Sequence, residues 1–526
     1  MCRVYSVPLP SVKTFTLRFL PILSASLLLL QISIPWSVKH LLTQDGSAHV
    51  YTASVTTSLL FHRQSSPYRP VYRIQKTALP NWIGTLLLAA FINIFGPDHA
   101  EAFLMSLCLL LGYFGFAYCA RSLTPEAGVP LILGNCLLQV WFLWGGFYNF
   151  YLGMGLFLLL TGYYIRRAAA FTWLRTATVS LGLVIVFFTH LIPAILSGVT
   201  LVILALWMHR GWKPFARLLL ALSPTVLLTA LYAAKFHKNT PFIPEILNAL
   251  RDFPQLTFVF AGGWTGEQRI FWPLVLLMIA MALASMKRSE WKTAKGGVAS
   301  VAGIMFLLYL LVPDIGFGGS VVKMRFAWGF FLLGGLLVCT VDRLRNVQAP
   351  LGAVLTVLLV LHLRLVASHA KATSDAAEQY LQVMDQLPEG ARFVRLFYPA
   401  PVLEHRSGTD QLAFNPLQHL DELAAVRRSA IDLSAYQPAT GTFSVAFRPA
   451  IDSGQGGSLW AFESPNAQSW ASLDWLRNTL PVSIDYVVLF GEQVPAEREG
   501  CGTLVNTGPG SAFARIYHCQ PPPKAR

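Results

Sequence analysis

The sequence predicts a polytopic α-helical membrane protein of about eleven transmembrane helices, with interfacial helices beside them and a soluble α/β domain at the C-terminus. Three observations carry this prediction. Hydrophobic residues make up 54% of the 526 and charged residues only 13%, a balance too apolar for a soluble protein. Apolar runs of bilayer length recur through residues 1–368. From 369 to 526 the long runs stop, and charged and turn-forming residues return.

The runs fall near 15–37, 102–120, 128–144, 149–165, 176–191, 192–208, 218–234, 269–286, 298–313, 324–341 and 350–367. The first is long and no small-residue cleavage site follows it, so it is expected to be a retained span rather than a signal peptide. The run 81–95 is shorter, follows Pro80, and is expected to lie along the interface without crossing.

The formal charge is +14, but Lys and Arg do not gather into one basic domain, which argues against nucleic acid as a partner. They occupy short loops between apolar runs. If 81–95 does not cross, one side collects the N-terminus, Arg121, Arg166, Arg167, Arg175, Arg210, Lys213, Arg217, the 287–295 loop, Arg343 and Arg345. The positive-inside rule makes that side the cytoplasm. The outer side then receives the first loop 38–101, the Trp144–Asn149 turn, the His190 corner, the long loop 235–268, the segment 313–323 and the whole of 369–526.

Residues 369–526 suffice for one mixed core. Strand-like runs stand at 393–398 and 486–490, and helical stretches at 375–387 and 419–428. Cys501 and Cys519 lie here and would close a loop of about 18 residues. On the outer face they are expected to form a disulfide. The other five cysteines sit in or beside apolar runs.

Several chemistries find no support. There is no P-loop, no GxGxxG fingerprint, no paired CxxC, and no metallohydrolase or Ser/His/Asp constellation. Attention falls instead on the outer edge. Asp45 follows the first span, with His49 one helical turn further on if the chain is helical from Ser47. Asp45 has two readings, an N-cap for that helix or a working carboxylate at the membrane boundary. Asp98 and Glu101 are expected to cap and charge the start of the next span.

The same loop carries His62, Arg63, Tyr68, Arg69, Tyr72, Arg73 and Lys76, positive charge on the side where the topology disfavours it. Either a phosphate-bearing ligand or anionic headgroups of membrane lipids would account for it. Tyr148 and Asn149, in the Gly145–Phe150 turn, offer hydrogen bonds. His190, before Pro193, and Arg325, just inside a span, are candidates for an anionic partner, and Glu267 belongs to a loop long enough to order over a substrate. Asp45 and His49 supply at most two ligands for a metal, so a divalent ion is left without support, and no cofactor is expected.

An acid after the first span, two helices near the interface, many spans and an outer C-terminal domain together resemble the GT-C superfamily of membrane glycosyltransferases. That group includes the bacterial aminoarabinose transferases and protein mannosyltransferases. The resemblance implies a bacterial inner-membrane enzyme that moves a sugar from a polyprenyl-phosphate-linked donor to a lipid, glycan or protein acceptor on the outer face, with inversion. Asp45 matches the loop acid, the general base. His49, Arg63, Arg69, Tyr148, Asn149, His190, Glu267 and Arg325 would bind substrate. Gly46 stands where the family carries a second acid. The alternative is a carrier or assembly component that binds or moves a polyprenyl-linked glycan without chemistry; ionisable groups at the outer edge rather than mid-span weigh against transport.

Overall fold

The computed structural model describes residues 12–62, 64–124, 129–168, 171–208, 211–236, 246–253, 266–285, 293–314, 321–338, 348–397, 415–452, 482–490, 503–505 and 514–519. Helices dominate, as they must where a membrane offers the backbone no water and each segment satisfies its own amides. Six of them are long and apolar enough to cross a bilayer: Phe19–Trp36, Pro97–Leu123, Leu191–Met208, Trp212–Lys235, Ala294–Leu311 and Ala349–Met384. Their outer faces expose Leu29, Leu206, Val226, Leu231, Leu307 and Val357, each more than half accessible, a surface suited to lipid rather than water.

The chain begins with α1 (Val12–Trp36), then α2 (Gly46–Phe61), β1 (Tyr72–Ile74) and α3 (Trp82–Phe95). At about 1.5 Å per residue, α2 and α3 fall short of the ~30 Å hydrocarbon core, in keeping with two non-crossing helices. α2 is largely enclosed. Twelve of its sixteen residues are buried, enclosed by neighbouring protein.

Next come α4 (Pro97–Leu123), α5 (Val129–Cys136), α6 (Trp141–Trp144) and α7 (Tyr148–Arg167). Glycines let α4 and α7 touch: a Cβ on Gly115 would stand 2.5 Å from the Gly155 carbonyl oxygen. The expected span 128–144 is instead two short helices. Tight bonds from Leu137 N–H to Gly134 O (3.1 Å) and Leu138 N–H to Asn135 O (3.2 Å) turn the chain between them. The Asn135 amide meets Gln31 and Ser24 of α1, so this break is buried in protein rather than in lipid.

Then follow α8 (Trp173–Thr189), α9 (Leu191–Met208), α10 (Trp212–Phe236), α11 (Ile246–Asp252), α12 (Glu267–Ser285), α13 (Ala294–Leu311), α14 (Val322–Val338) and α15 (Gln348–Met384). The expected last span and the helix 375–387 are one element of 37 residues. Its length, about 55 Å, exceeds a bilayer core by several turns. It therefore runs unbroken through the expected boundary at 368.

The remainder comprises β2 (Arg392–Phe397), α16 (Leu420–Arg427), β3 (Ile431–Asp432), α17 (Tyr436–Thr440), β4 (Val445–Phe447), α18 (Pro449–Asp452), β5 (Tyr486–Phe490), β6 (Thr503–Leu504) and β7 (Ala514–His518). A five-stranded sheet has the order β3-β2-β5-β7-β6. β2 pairs parallel with β3 and β5, while β7 is antiparallel to β5 and β6. Tyr380 of α15 packs on Phe490 at 4.6 Å between ring centroids, seating the sheet against the long helix.

β4 does not join that sheet. It pairs antiparallel with β1 of the first outer loop, Tyr72 opposite Phe447 and Ile74 opposite Val445. The Gln75 N–H continues the ladder to Ser444 O (2.8 Å), and the Thr56 and Ser444 hydroxyls meet at 2.9 Å. The C-terminal part is thereby fastened across α2, where Asp45 lies.

Candidate active site

Asp45 is the residue before α2, but its side chain makes no capping hydrogen bond. The carboxylate is instead hydrogen-bonded by Tyr436 and Gln44. Its Oδ1 stands 3.7 Å from His419 Nε2, and the side chain is 15% exposed. Burial pushes its pKa above the ordinary 3.8, opposed by the charge of His419, by the two hydrogen bonds and by Arg325. A partly exposed carboxylate with a raised pKa, not engaged with its own helix, can receive a proton from a ligand.

Its backbone is fixed by the Gly145–Phe150 turn. Gln44 N–H donates to Trp144 O (3.0 Å) and Asp45 N–H to Gly145 O (3.3 Å). Gly146 has φ +79°, and a Cβ there would lie 2.9 Å from the amide nitrogens of Asp45 and Gly46. Glycine is needed on both counts, the left-handed backbone and the close approach.

Glu101 does not serve as a first-turn charge on α4. It points inward, 4% exposed. Its Oε1 accepts from Thr43 Oγ1 (2.6 Å) and Tyr148 Oη (2.7 Å). That oxygen lies 1.7 Å from where a Cβ on Gly46 would be. Asp98 is not the N-cap of α4, which is Gly96. It receives the Arg427 guanidinium at 2.6 and 2.8 Å.

Beyond the turn stand Arg325 and His190. The Arg325 guanidinium lies over the rings of Phe147 (5.2 Å) and Phe150 (5.1 Å), and its Nη1 is 2.6 Å from His190 Nε2. The His190 Nδ1 accepts the Ile192 N–H at 3.1 Å. At 2.6 Å the two nitrogens touch directly, with the guanidinium N–H as the donor. The guanidinium, a planar fork of N–H donors, suits an anionic partner beside the pair.

The other expected site residues take varied places. His49 is 6% exposed, its Nδ1 accepts from Gln437 Nε2 (3.1 Å), and its ring bonds the Gly146 backbone. Burial, then the charge of His419, lower its pKa to about 4, so it is neutral at pH 7. Tyr148 holds Glu101 and Thr43, and Asn149 Oδ1 accepts the Gly84 N–H at 2.8 Å, tying α3 to α7. Arg69 is exposed, and its carbonyl accepts from Arg448 Nε. Glu267 is fully buried against His362 of α15, Oε1 to Nε2 2.9 Å. Arg63, Cys501 and most of the 235–268 loop lie outside the described residues. Cys519 is buried after β7, its N–H donating to Asp485 O at 2.8 Å.

Asp45, His190 and Arg325 are thus assembled around one turn, with His49, Tyr148 and Glu101 behind it. Sequence reasoning missed His419, Tyr436 and Gln437, which reach Asp45 and His49 from the opposite end of the chain. No spacing rule links them. The inward turn of Glu101 had one signal, the glycine directly after Asp45. Among the described residues no group of three or more His, Cys, Asp or Glu is disposed to hold a metal ion.

No family model matches the chain, and no curated protein matches it in sequence. Among solved structures it is similar to ArnT from Cupriavidus metallidurans, with a TM-score of 0.45 and 13% identity over 81% of this chain and 91% of that one. ArnT has also been solved bound to undecaprenyl phosphate, with a TM-score of 0.45 to this chain. A second similar structure is the archaeal oligosaccharyltransferase AglB from Archaeoglobus fulgidus in complex with an inhibitory peptide and a dolichol-phosphate. Its TM-score is 0.48, with 12% identity over 91% of this chain and 70% of that one.

Proposed function

We propose that the protein is an integral-membrane glycosyltransferase that moves a sugar from a polyprenyl-phosphate-linked donor to a hydroxyl acceptor at the outer membrane face. One observation carries the reading. Asp45, partly exposed and not used as a helix cap, stands beside a turn whose far side presents the Arg325–His190 pair. A base and a cationic guanidinium held around one turn supply what displacement of a phosphate from an anomeric carbon requires.

In this mechanism the acceptor oxygen attacks the anomeric carbon and its proton passes to an Asp45 oxygen. The bond from that carbon to the phosphate oxygen breaks, and the polyprenyl phosphate leaves with its charge held by Arg325 and His190. A single displacement of this kind inverts the anomeric configuration. About eleven crossings, a cytoplasmic N-terminus and an outer C-terminal domain complete the proposal.

The test uses the full chain in liposomes with undecaprenyl-phosphate-linked labelled sugars and a lipid or peptide acceptor. Released undecaprenyl phosphate and labelled acceptor are measured. Asp45→Asn is expected to bind the donor but lose about 10²- to 10⁴-fold in transfer. Full transfer by this variant would remove Asp45 as the base. Donor binding with no transfer by the unaltered chain would favour a carrier.

A further inference from the structure

A histidine from the C-terminal part stands beside Asp45. His419 is the residue before α16, yet its ring makes no cap bond to that helix. It lies between two carboxylates, Nε2 3.7 Å from Asp45 Oδ1 and Nδ1 3.1 Å from Glu422 Oε1. The His419 and Glu422 side chains are 2% and 1% exposed. Neither oxygen of Glu422 is reached by a hydrogen bond among the described residues. A carboxylate so deeply buried needs a proton or a cation beside it, and the imidazole is in contact. The Tyr436 ring packs on His419 at 4.7 Å, and Tyr436 also hydrogen-bonds Asp45, so ring and carboxylate share a wall.

We propose that His419, anchored by Glu422, is a positioning residue for Asp45: the imidazolium fixes the carboxylate's direction and holds it as the anion. The C-terminal part then completes the site rather than only covering it. The groups facing Asp45 are His419 and Glu422, Tyr436 from α17 and Arg325 from α14. Of these, His419 is the largest charge opposing the effect of burial on Asp45. The same charge acts on His49, which places it at the centre of the cluster. The role in transfer rests on the glycosyltransferase reading, but the coupling of His419 to Asp45 does not.

The experiment is pH-dependent labelling by dicyclohexylcarbodiimide, which reacts with protonated carboxyls in apolar surroundings. The full chain in detergent is labelled across a pH series, and the Asp45 peptide is quantified by mass spectrometry. His419→Gln keeps a polar side chain of similar reach and removes the charge. Its Asp45 labelling midpoint is expected to rise by about one pH unit or more. A His419→Gln profile that superposes on the unaltered protein overturns the proposal. If that variant does not fold, His419→Asn decides alone: an unchanged midpoint again overturns it. No sugar donor enters this assay. A shifted midpoint together with an Asp45→Asn variant that still transfers sugar would retire the catalytic reading and leave the coupling standing.

Discussion

The Oε1 atom of Glu101 occupies the space beside Gly46 that any larger side chain would claim, 1.7 Å from the ideal Cβ position. A buried carboxylate thus packs against Gly46 from the start of α4. Thr43 and Tyr148 hold it from either side.

This contact predicts the cost of filling it. Gly46→Ala must displace the Glu101 carboxylate and Thr43 Oγ1, which would stand 2.5 Å from the new carbon. Overpacking of this sort costs about 1–3 kcal/mol. The thermal midpoint of Gly46→Ala in detergent is expected to fall. Gly46→Ala with Glu101→Ala should recover part of the loss, because the clashing atoms are gone. A double variant no more stable than the sum of the two singles would show that the contact is not the cause.

Arg325 predicts a residue-type effect. Its guanidinium is stacked on two aromatic rings and reaches His190 with one nitrogen. Lysine has no plane to stack and a single ammonium, so Arg325→Lys is not conservative here. Transfer is expected to fall about 10²- to 10³-fold, the range for losing one donor to a developing anion. The check is turnover against donor concentration. Unchanged turnover in Arg325→Lys would mean that the phosphate is held elsewhere.

Much of this geometry was legible in the sequence, and the limits have physical causes. Hydropathy located α3 to within a residue, as an apolar run of 81–95 too short to match the full spans. The strands at Arg392–Phe397 and Tyr486–Phe490 were equally visible as short β-branched and aromatic runs. Hydropathy could not see the break after Cys136, since Asn135 is held by tertiary partners, Gln31 and Ser24, that a window average ignores. Nor could it see His419, whose significance arises only when β1 pairs with β4 and brings α16 over α2.

His49 gives the site a pH signature. Its folded pKa of about 4 lies below the ordinary 6.5, since burial and the His419 charge disfavour its cation. The neutral ring therefore contributes stability that is complete above pH 6.5 and is lost as pH falls toward 4. Fully developed, the contribution is about 3 kcal/mol. Asp45 runs the other way. With its pKa raised, its contribution is present below the ordinary 3.8 and is lost as pH rises through the folded value. Between pH 6.5 and 4 the unaltered protein should lose more in thermal midpoint than His49→Gln, which bears no titrating group there. Parallel slopes would exclude His49 as the source.

The fastening of the C-terminal part to the first outer loop makes the last prediction. The Tyr72 hydroxyl donates to the Asp432 carbonyl, and the Asp432 N–H donates to Tyr51 Oη at 2.9 Å. The Tyr72 ring stacks on Phe447, its partner in the β1–β4 ladder, at 5.2 Å. Tyr72→Phe keeps the stacking and removes two buried hydrogen bonds, to the Asp432 carbonyl and to the Tyr51 hydroxyl, leaving a carbonyl at the end of β3 without that donor. The expected cost is about 1–3 kcal/mol, concentrated where β1 meets β4. Amide hydrogen exchange should therefore quicken at 72–74 and 445–447 while the membrane helices keep their protection. Because α16 lies just before β3, loosening this clasp should also let His419 draw away from Asp45, lowering transfer without altering a residue that touches substrate. Unchanged exchange in both strands would mean that other ties, such as Thr56 with Ser444 and Asp98 with Arg427, hold the two parts together without Tyr72.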